Sequence, residues 1–515
     1  MTESRERMPD PAARTGALRF GRVGLVLVLA AAAAVYAQYG CRGRLLRDDA
    51  MYLYSGQRMV DGVPPYVSIF DLKGPVAPLI SGAGTAAARV LDTDDITTVR
   101  ITFFIVGLLV VACVYLFARD LFASTRAGLL AAFVFPCFWG FGRHVLSGPR
   151  AKTPMVLFEV LALWLTTRRK WLWAGFFGSL AFLTWQPAVF LPAMTVLFAV
   201  VQSENASQRW KNPLKALIGI SLPLLAVSAY FLCMNAFGEF VDGTILFHLR
   251  HLERTGAGPL RNVANAFLAL HKGYATSYLL IVIGLVAVGV LFAWRLKCHA
   301  GRVSSWVRRD PYAALILTFP VPVVLSLMDF QDYPDLYVFL PYAALGLGWL
   351  LHTTLAGLGD KAGLSPRSGT TLFVVVSLVL VGGAALDYHE TATDELDQQE
   401  AWAAQIVSEF GDDVKVLSIG LPEALVLLHK TSPEPYIVIN GGIDNYIDAT
   451  VPGGFDGWVA RLEQYDARIV LFGATQGKHV PRLMQWLEDR YVRRTVGGWT
   501  IYVRRPDPET EDVRR

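Results

Sequence analysis

The chain has 515 residues, 53% of them hydrophobic and only 17% charged, with a mean hydropathy of +0.40. A soluble protein is usually nearer a quarter charged, so this composition excludes an ordinary soluble enzyme and requires a chain held in a membrane. The net charge of +4 is split, +13 over residues 1–386 against −9 over residues 387–515; a basic excess between apolar runs orients membrane spans, and nucleic acid is not expected as a partner.

The five cysteines, Cys41, Cys113, Cys137, Cys233 and Cys298, are odd in number and scattered, which suggests neither a disulfide framework nor a metal knuckle. No internal repeat is visible. Apolar runs predict eleven membrane helices, near 21–40, 97–118, 127–142, 152–167, 171–186, 187–202, 214–235, 274–294, 311–328, 336–352 and 370–386. The expected organisation is a cytoplasmic tail over 1–20, a membrane domain over 21–386 and an extracytoplasmic α/β domain over 387–515. "VYA" before Gln38 also resembles a signal cleavage site, and cleavage there would leave every later loop on the same side.

The loops alternate in charge. Arg5, Arg7, Arg14, Arg19 and Arg22 at the start, Arg168 to Lys170, and Arg295 to Arg309 all fall on one face, which the excess of cations makes cytoplasmic. The opposite face receives 41–96, 143–151, 236–273, 329–335 and the region after 387. There Asp48 and Asp49 follow the first span. Asp can cap a helix and favour its first turn, which accounts for one carboxylate. Tyr52, Leu53, Gly56, Met59 and Val60 then make one apolar stripe, so the acids sit where an amphipathic helix lying on the membrane meets the span. Ionisable groups held at that depth mark a functional site.

From about residue 397 the pattern becomes soluble α/β. "VKVLSIG" (414–420), "ARIVLFG" (467–473) and "GGWTIYVRR" (497–505) read as strands, with "PEALVLLHK" and "KHVPRLMQWLEDR" as helices between them. "NGGIDN" (440–445) lacks the glycine spacing of a phosphate cradle, so a structural or acceptor-docking role is expected there.

Together, the acid pair, the amphipathic helix, "DGVPPY", "FDLKGP", "TWQP" (184–187) and "DFQDYPDLYVFLPYAALGLG" (329–348) resemble membrane glycosyltransferases of the GT-C fold. The likeness covers roughly residues 20–350 and is strongest to the dolichyl-phosphate-mannose-dependent mannosyltransferases and their bacterial aminoarabinose and arabinofuranose relatives. It implies transfer of one sugar from a polyprenyl-phosphate donor to a glycan, lipoglycan or glycoprotein acceptor of the cell envelope, at the outer face of the plasma membrane. By this resemblance Asp48 is the base that takes the acceptor proton, and Asp49 orients it or the acceptor. Lys73 meets the donor phosphate. Arg143, His144, Arg150, Lys152, His248, Arg250, His251 and Arg254 are candidate additions to that cradle, or cations anchored at the interface. Tyr52, Tyr66, Asp71, Gln186, Asp329, Asp332, Tyr333 and Asp335 are candidates for holding sugar or acceptor.

One departure bears on metal. Many relatives carry a second acid in the outer loop before the fourth span, whereas this loop reads "GRHVLSGPRAK". No metal and no cofactor are therefore expected, since Lys and Arg can serve a leaving monophosphate; Asp329, Asp332 and Asp335 are the acids left to rebuild a metal site. Competing readings are a transporter, which would bury charge near the helix centres where Glu159 is the main example, and an oligosaccharide ligase working on lipid-linked glycans.

Overall fold

A computed structural model describes residues 11–252, 258–363, 365–389 and 394–506; Arg254 lies outside them. Seven of its helices are long and apolar enough to cross a membrane: Phe20–Ala37, Asp95–Phe122, Ala206–Cys233, Pro259–Cys298, Pro311–Met328, Tyr333–Lys361 and Arg367–Asp387. The pair Thr125–Cys137 and Trp139–Ser147 makes an eighth, bent by 70°. The bend falls at Phe138, whose backbone leaves the helical region just after the short turn Phe135–Cys137 that contains Pro136. The remaining three expected spans form Lys152–Thr167, Trp171–Thr184 and Phe190–Val201, of 16, 14 and 12 residues. They are shorter than the roughly 20 residues a crossing needs.

These helices share one apolar core. Gly346 lies directly on the backbone of Gly284, so that Leu340–Lys361 and Tyr278–Cys298 approach more closely than side chains would permit. The 236–273 stretch, expected as a loop, is instead largely helical, with Phe237–Val241, a π turn at Asp242–Leu246, Phe247–Arg250 and Pro259–Tyr274. Its His, Arg and Asn residues mask an amphipathic pattern that continues into the next span.

The acid pair opens α1 (Arg47–Val60), which buries Ala50, Leu53 and Tyr54. The C-terminal region begins with α2 (Glu395–Phe410) and holds a four-stranded sheet, β1 (Val416–Ile419), β2 (Ile469–Phe472), β3 (Tyr491–Val496) and β4 (Trp499–Arg504). The strand order is β1-β2-β4-β3; β1 and β2 are parallel and the other pairs antiparallel. Strand alternation sends Leu417, Ile419, Val470 and Tyr502 to one face, where they cluster with Trp458, Leu462, Leu483 and Leu487. Val416, Ile469, Leu471, Ile501 and Val503 face the other way. Their cluster includes Leu396 and Ile406 of α2, Leu53 of α1, and Ile96, Val99 and Phe103 of a membrane helix. Sheet and membrane helices therefore share a core.

A polar clamp fixes that junction. The Gln399 side chain, 1% exposed, accepts from the Leu45 N–H at 2.8 Å and donates to the Leu45 carbonyl at 3.1 Å. Leu396 N–H donates to the Arg42 carbonyl at 2.9 Å, and Arg42 reaches Asp397 at 2.6 Å and Glu400 at 2.5 Å. Gln399→Ala would strand two backbone groups of the fully buried Leu45. It should lower stability by about 1–3 kcal/mol, read as an earlier unfolding transition of the purified protein in detergent. An unchanged transition would mean that the apolar junction alone holds the two parts.

Candidate active site

The beginning of α1, the 64–75 turn and the loop before Lys152 meet at one point. Asp49 is fully buried and accepts from Arg150 Nε at 3.0 Å. Gly148 lies so close behind that a side chain there would strike the Asp49 carboxylate. Asp48 is part exposed, with Oδ2 3.4 Å from Lys73 Nζ and 3.9 Å from Arg150. Lys73 Nζ also lies 5.5 Å from the centre of the Tyr52 ring, an arrangement that favours a cation.

The lysine is set by its own turn. Tyr66 adopts a left-handed backbone, φ 69°, and its hydroxyl donates to the Lys73 carbonyl at 2.7 Å. Such a conformation is costly for a residue with a side chain and persists only when packing enforces it; here Phe231 and Phe240 hold the ring at 5.6 and 5.9 Å. The buried Asp71 accepts from Leu72 N–H at 2.7 Å and Lys73 N–H at 3.3 Å, and so orders the turn.

The charges divide the two acids. The Lys73 ammonium, helped by Arg150 and Arg47, holds the Asp48 carboxyl well below the usual range despite burial. Burial pushes Asp49 up to about 6, outweighing the pull of Arg150. Burial disfavours the Lys73 charge, but Asp48, Tyr52 and Asp71 outweigh it and leave the ammonium more basic than usual.

Asp48 and Lys73 open into a cavity of about 1070 Å³. Its polar lining includes Arg47, Asp71, Gln186, His248, Asp329 and Asp335; its apolar lining includes Val189, Leu249, Leu325 and Met328. Gln186 Nε2 donates to the Leu72 carbonyl at 2.7 Å. His248 Nε2 lies 2.5 Å from the same oxygen, which requires that nitrogen to carry the proton. Lys152 contacts Asp335 and lies 5.0 Å from the centre of the Trp185 ring. Asp335 also accepts from Gln331 N–H at 2.7 Å, while Asp332 caps the turn. The buried His144 and the half-buried Tyr333 are joined by a hydrogen bond.

Asp49, Tyr52, Tyr66, Arg143, His144, Arg150, Lys152, Arg250, His251, Asp332 and Tyr333 do not line this cavity. Arg143 lies on the Trp139 ring at 4.6 Å, Arg250 is exposed, and His251 packs edge-on to Tyr446 at 5.2 Å. Among the described residues, no three His, Cys, Asp or Glu side chains gather as a metal-holding group, Asp329, Asp332 and Asp335 included. The wall also contains groups that sequence reasoning left out. Arg47 lines the cavity and donates to the Ala474 carbonyl at 3.1 Å. Asn440, Gly441, Gln476 and Gly477 close the far side from the C-terminal region, where Gln476 N–H donates to the Ile439 carbonyl at 2.9 Å. Only "NGGIDN" gave a signal for any of them.

Residues 73–232 match the family model described as dolichyl-phosphate-mannose-protein mannosyltransferase, about a third of the chain. The structure is similar to ArnT from Cupriavidus metallidurans bound to undecaprenyl phosphate, with a TM-score of 0.60 and 14% identity, over 95% of this chain and 99% of that one. Apo ArnT from the same organism gives a TM-score of 0.58 and 13% identity, over 95% and 98%. The chain has the GT-C fold. A search of curated proteins by sequence returns no match. Within the GT-C fold, residues 73–232 span Lys73, Arg150, Lys152 and Gln186, whereas Asp48 and Asp49 precede the matched stretch.

The raised Asp49 group fixes a sign. The folded chain holds this proton up to about pH 6, against 3.8 for a free side chain, so protonation favours folding. The Asp49 contribution to stability should therefore fall as pH rises from about 4 through about 6. Asp49→Asn should remove that slope, read as unfolding temperature against pH in detergent. A variant with the wild-type slope would assign the titration to another group.

Proposed function

We propose that the protein is a membrane glycosyltransferase that moves a single sugar from a polyprenyl phosphate to a hydroxyl of a cell-envelope glycan, lipoglycan or glycoprotein. The observation that carries this reading is the placing of Asp48 and Lys73 side by side on a cavity whose lining is otherwise rich in apolar side chains. That combination suits a donor with a charged head and a hydrocarbon tail. The undecaprenyl phosphate in the ArnT structure supports a polyprenyl-phosphate donor, and the description of the matched family favours mannose, with arabinofuranose second. Loop charge supports an outer, extracytoplasmic placing of the site and of residues 387–515.

In this mechanism Asp48 accepts the proton of the acceptor hydroxyl as its oxygen attacks the anomeric carbon. The bond from that carbon to the phosphate oxygen breaks, and the electron pair leaves with the phosphate. Lys73, which rests on Asp48, turns to the phosphate as that charge develops. Base and leaving group then lie on opposite faces of the sugar, so the configuration inverts. Asp49 and Arg150 position the pair without reaching the cavity. Cations serve a leaving monophosphate, and the proposed transfer is metal-independent.

Asp48→Asn keeps the shape of the side chain but removes its basicity and frees Lys73. Transfer of radiolabelled mannose from polyprenyl phosphate should fall roughly 10²-fold or more, with donor-lipid binding equal or tighter. Near-normal turnover would take Asp48 out of the mechanism.

Lys73→Ala should weaken donor binding and slow transfer together, because the charge it meets grows in the transition state. Lys73→Arg should be impaired less, since charge remains and only reach and geometry change. EDTA should leave wild-type transfer unchanged. Loss of activity in EDTA with rescue by manganese or magnesium would overturn metal independence.

A further inference from the structure

A second cavity, about 380 Å³, opens at one end of the C-terminal sheet, within the size range of small-ligand sites. Leu421 follows β1, and Gly473 and Ala474 follow β2, so it lies at the carboxyl end of the parallel pair, where open α/β sheets bind ligands. Its walls are Phe472, Thr500 and Tyr502 on one sheet face, Met484 of the helix packed there, and two arginines, Arg44 and Arg493. Among the described residues no carboxylate lines it. Among the described residues neither arginine makes an ion pair, and both are exposed. Arg44 lies within electrostatic reach of the buried Glu423, without an ion pair, and two guanidinium groups over an apolar and hydroxyl-bearing wall recognise an anion attached to an amphipathic body.

The crevice adjoins the reaction cavity through one short loop. Gly473 and Ala474 line the crevice, and Gln476 and Gly477 line the reaction cavity. Arg47, three residues from Arg44 and next to Asp48, holds the loop between them through the Ala474 carbonyl at 3.1 Å. A chain seated against Arg44 and Arg493 therefore needs only to cross Ala474 to reach Asp48.

We propose that this crevice binds an anionic saccharide and seats the distal part of the acceptor, an inference that rests on the glycosyltransferase reading for the word acceptor alone. The anion is a sugar carboxylate or a sugar phosphate, since both match a paired guanidinium.

The test uses the full-length protein in nanodiscs and fluorescent oligosaccharides of equal length: a polygalacturonate, a phosphomannan and a neutral mannan. At least one anionic oligomer should bind at least tenfold more tightly than the neutral one, and whichever binds identifies the anion. In the Arg44→Gln, Arg493→Gln double variant that preference should disappear, while donor-lipid binding and unfolding temperature stay at wild-type values. Equal binding of anionic and neutral oligomers, or wild-type binding by the double variant, would overturn the proposal. So would complete displacement by millimolar inorganic phosphate, which would mean that the site holds a bare anion. Saccharide binding without turnover of any polyprenyl-phosphate sugar would sustain the site and sink the transferase reading. Turnover without anionic binding would do the reverse.

Discussion

Two neighbouring carboxylates on one helical turn repel each other and resist burial, and the architecture around them answers that constraint. Asp49 is sealed against Arg150, while Asp48 is left facing a cavity with Lys73 beside it. Neither cation comes from the same element as the acids. Arg150 arrives from the loop before Lys152, and Lys73 from a turn held by Tyr66 and Asp71. The pair therefore exists only when three separate parts of the chain are in place, and small displacements of any of them change the charge at the cavity wall.

The division of roles follows from exposure rather than chemistry, because both acids are aspartates. Burial raises the proton affinity of one, and adjacent ammonium lowers that of the other. A lysine that rests on a carboxylate can change partner when an anion enters. This gives Asp48 and Lys73 a resting state in which each is the other's counterion.

Much of this was legible in the chain. Apolar runs announced the helices, and the acids, Lys73 and the FDLKGP turn stood out because charge is rare in so apolar a sequence. The eleven expected spans fall on helices, yet the three between 152 and 202 are short, which hydropathy alone does not register. β3 was missed because its residues Val492 to Thr495 are exposed and include Arg493 and Arg494, the charges that keep an edge strand from pairing further. In "FHLRHLER" only His248 among the described sequence candidates turns to the cavity, since helical geometry sends neighbouring residues in different directions. Arg47 and the 476–477 segment carry no local signature at all, and 440–441 only that of "NGGIDN". They meet the site through the shared core of sheet and membrane helices, a relation hundreds of residues long that spacing cannot express.

That shared core has a consequence for how the protein is made. Part of the cluster that buries Leu45 and Leu53, and the Gln399 clamp on Leu45, lie after position 395, more than 300 residues beyond the acid pair. At ribosomal speeds of about 5–20 residues per second, the first turn of α1 waits on the order of tens of seconds for the partners that fix it. During that interval the membrane helices can already be inserted while the reaction cavity lacks its far wall. A chain that is truncated, or stalled before the sheet is complete, would carry every acid and cation of the proposed chemistry and still have no closed site in which to use them.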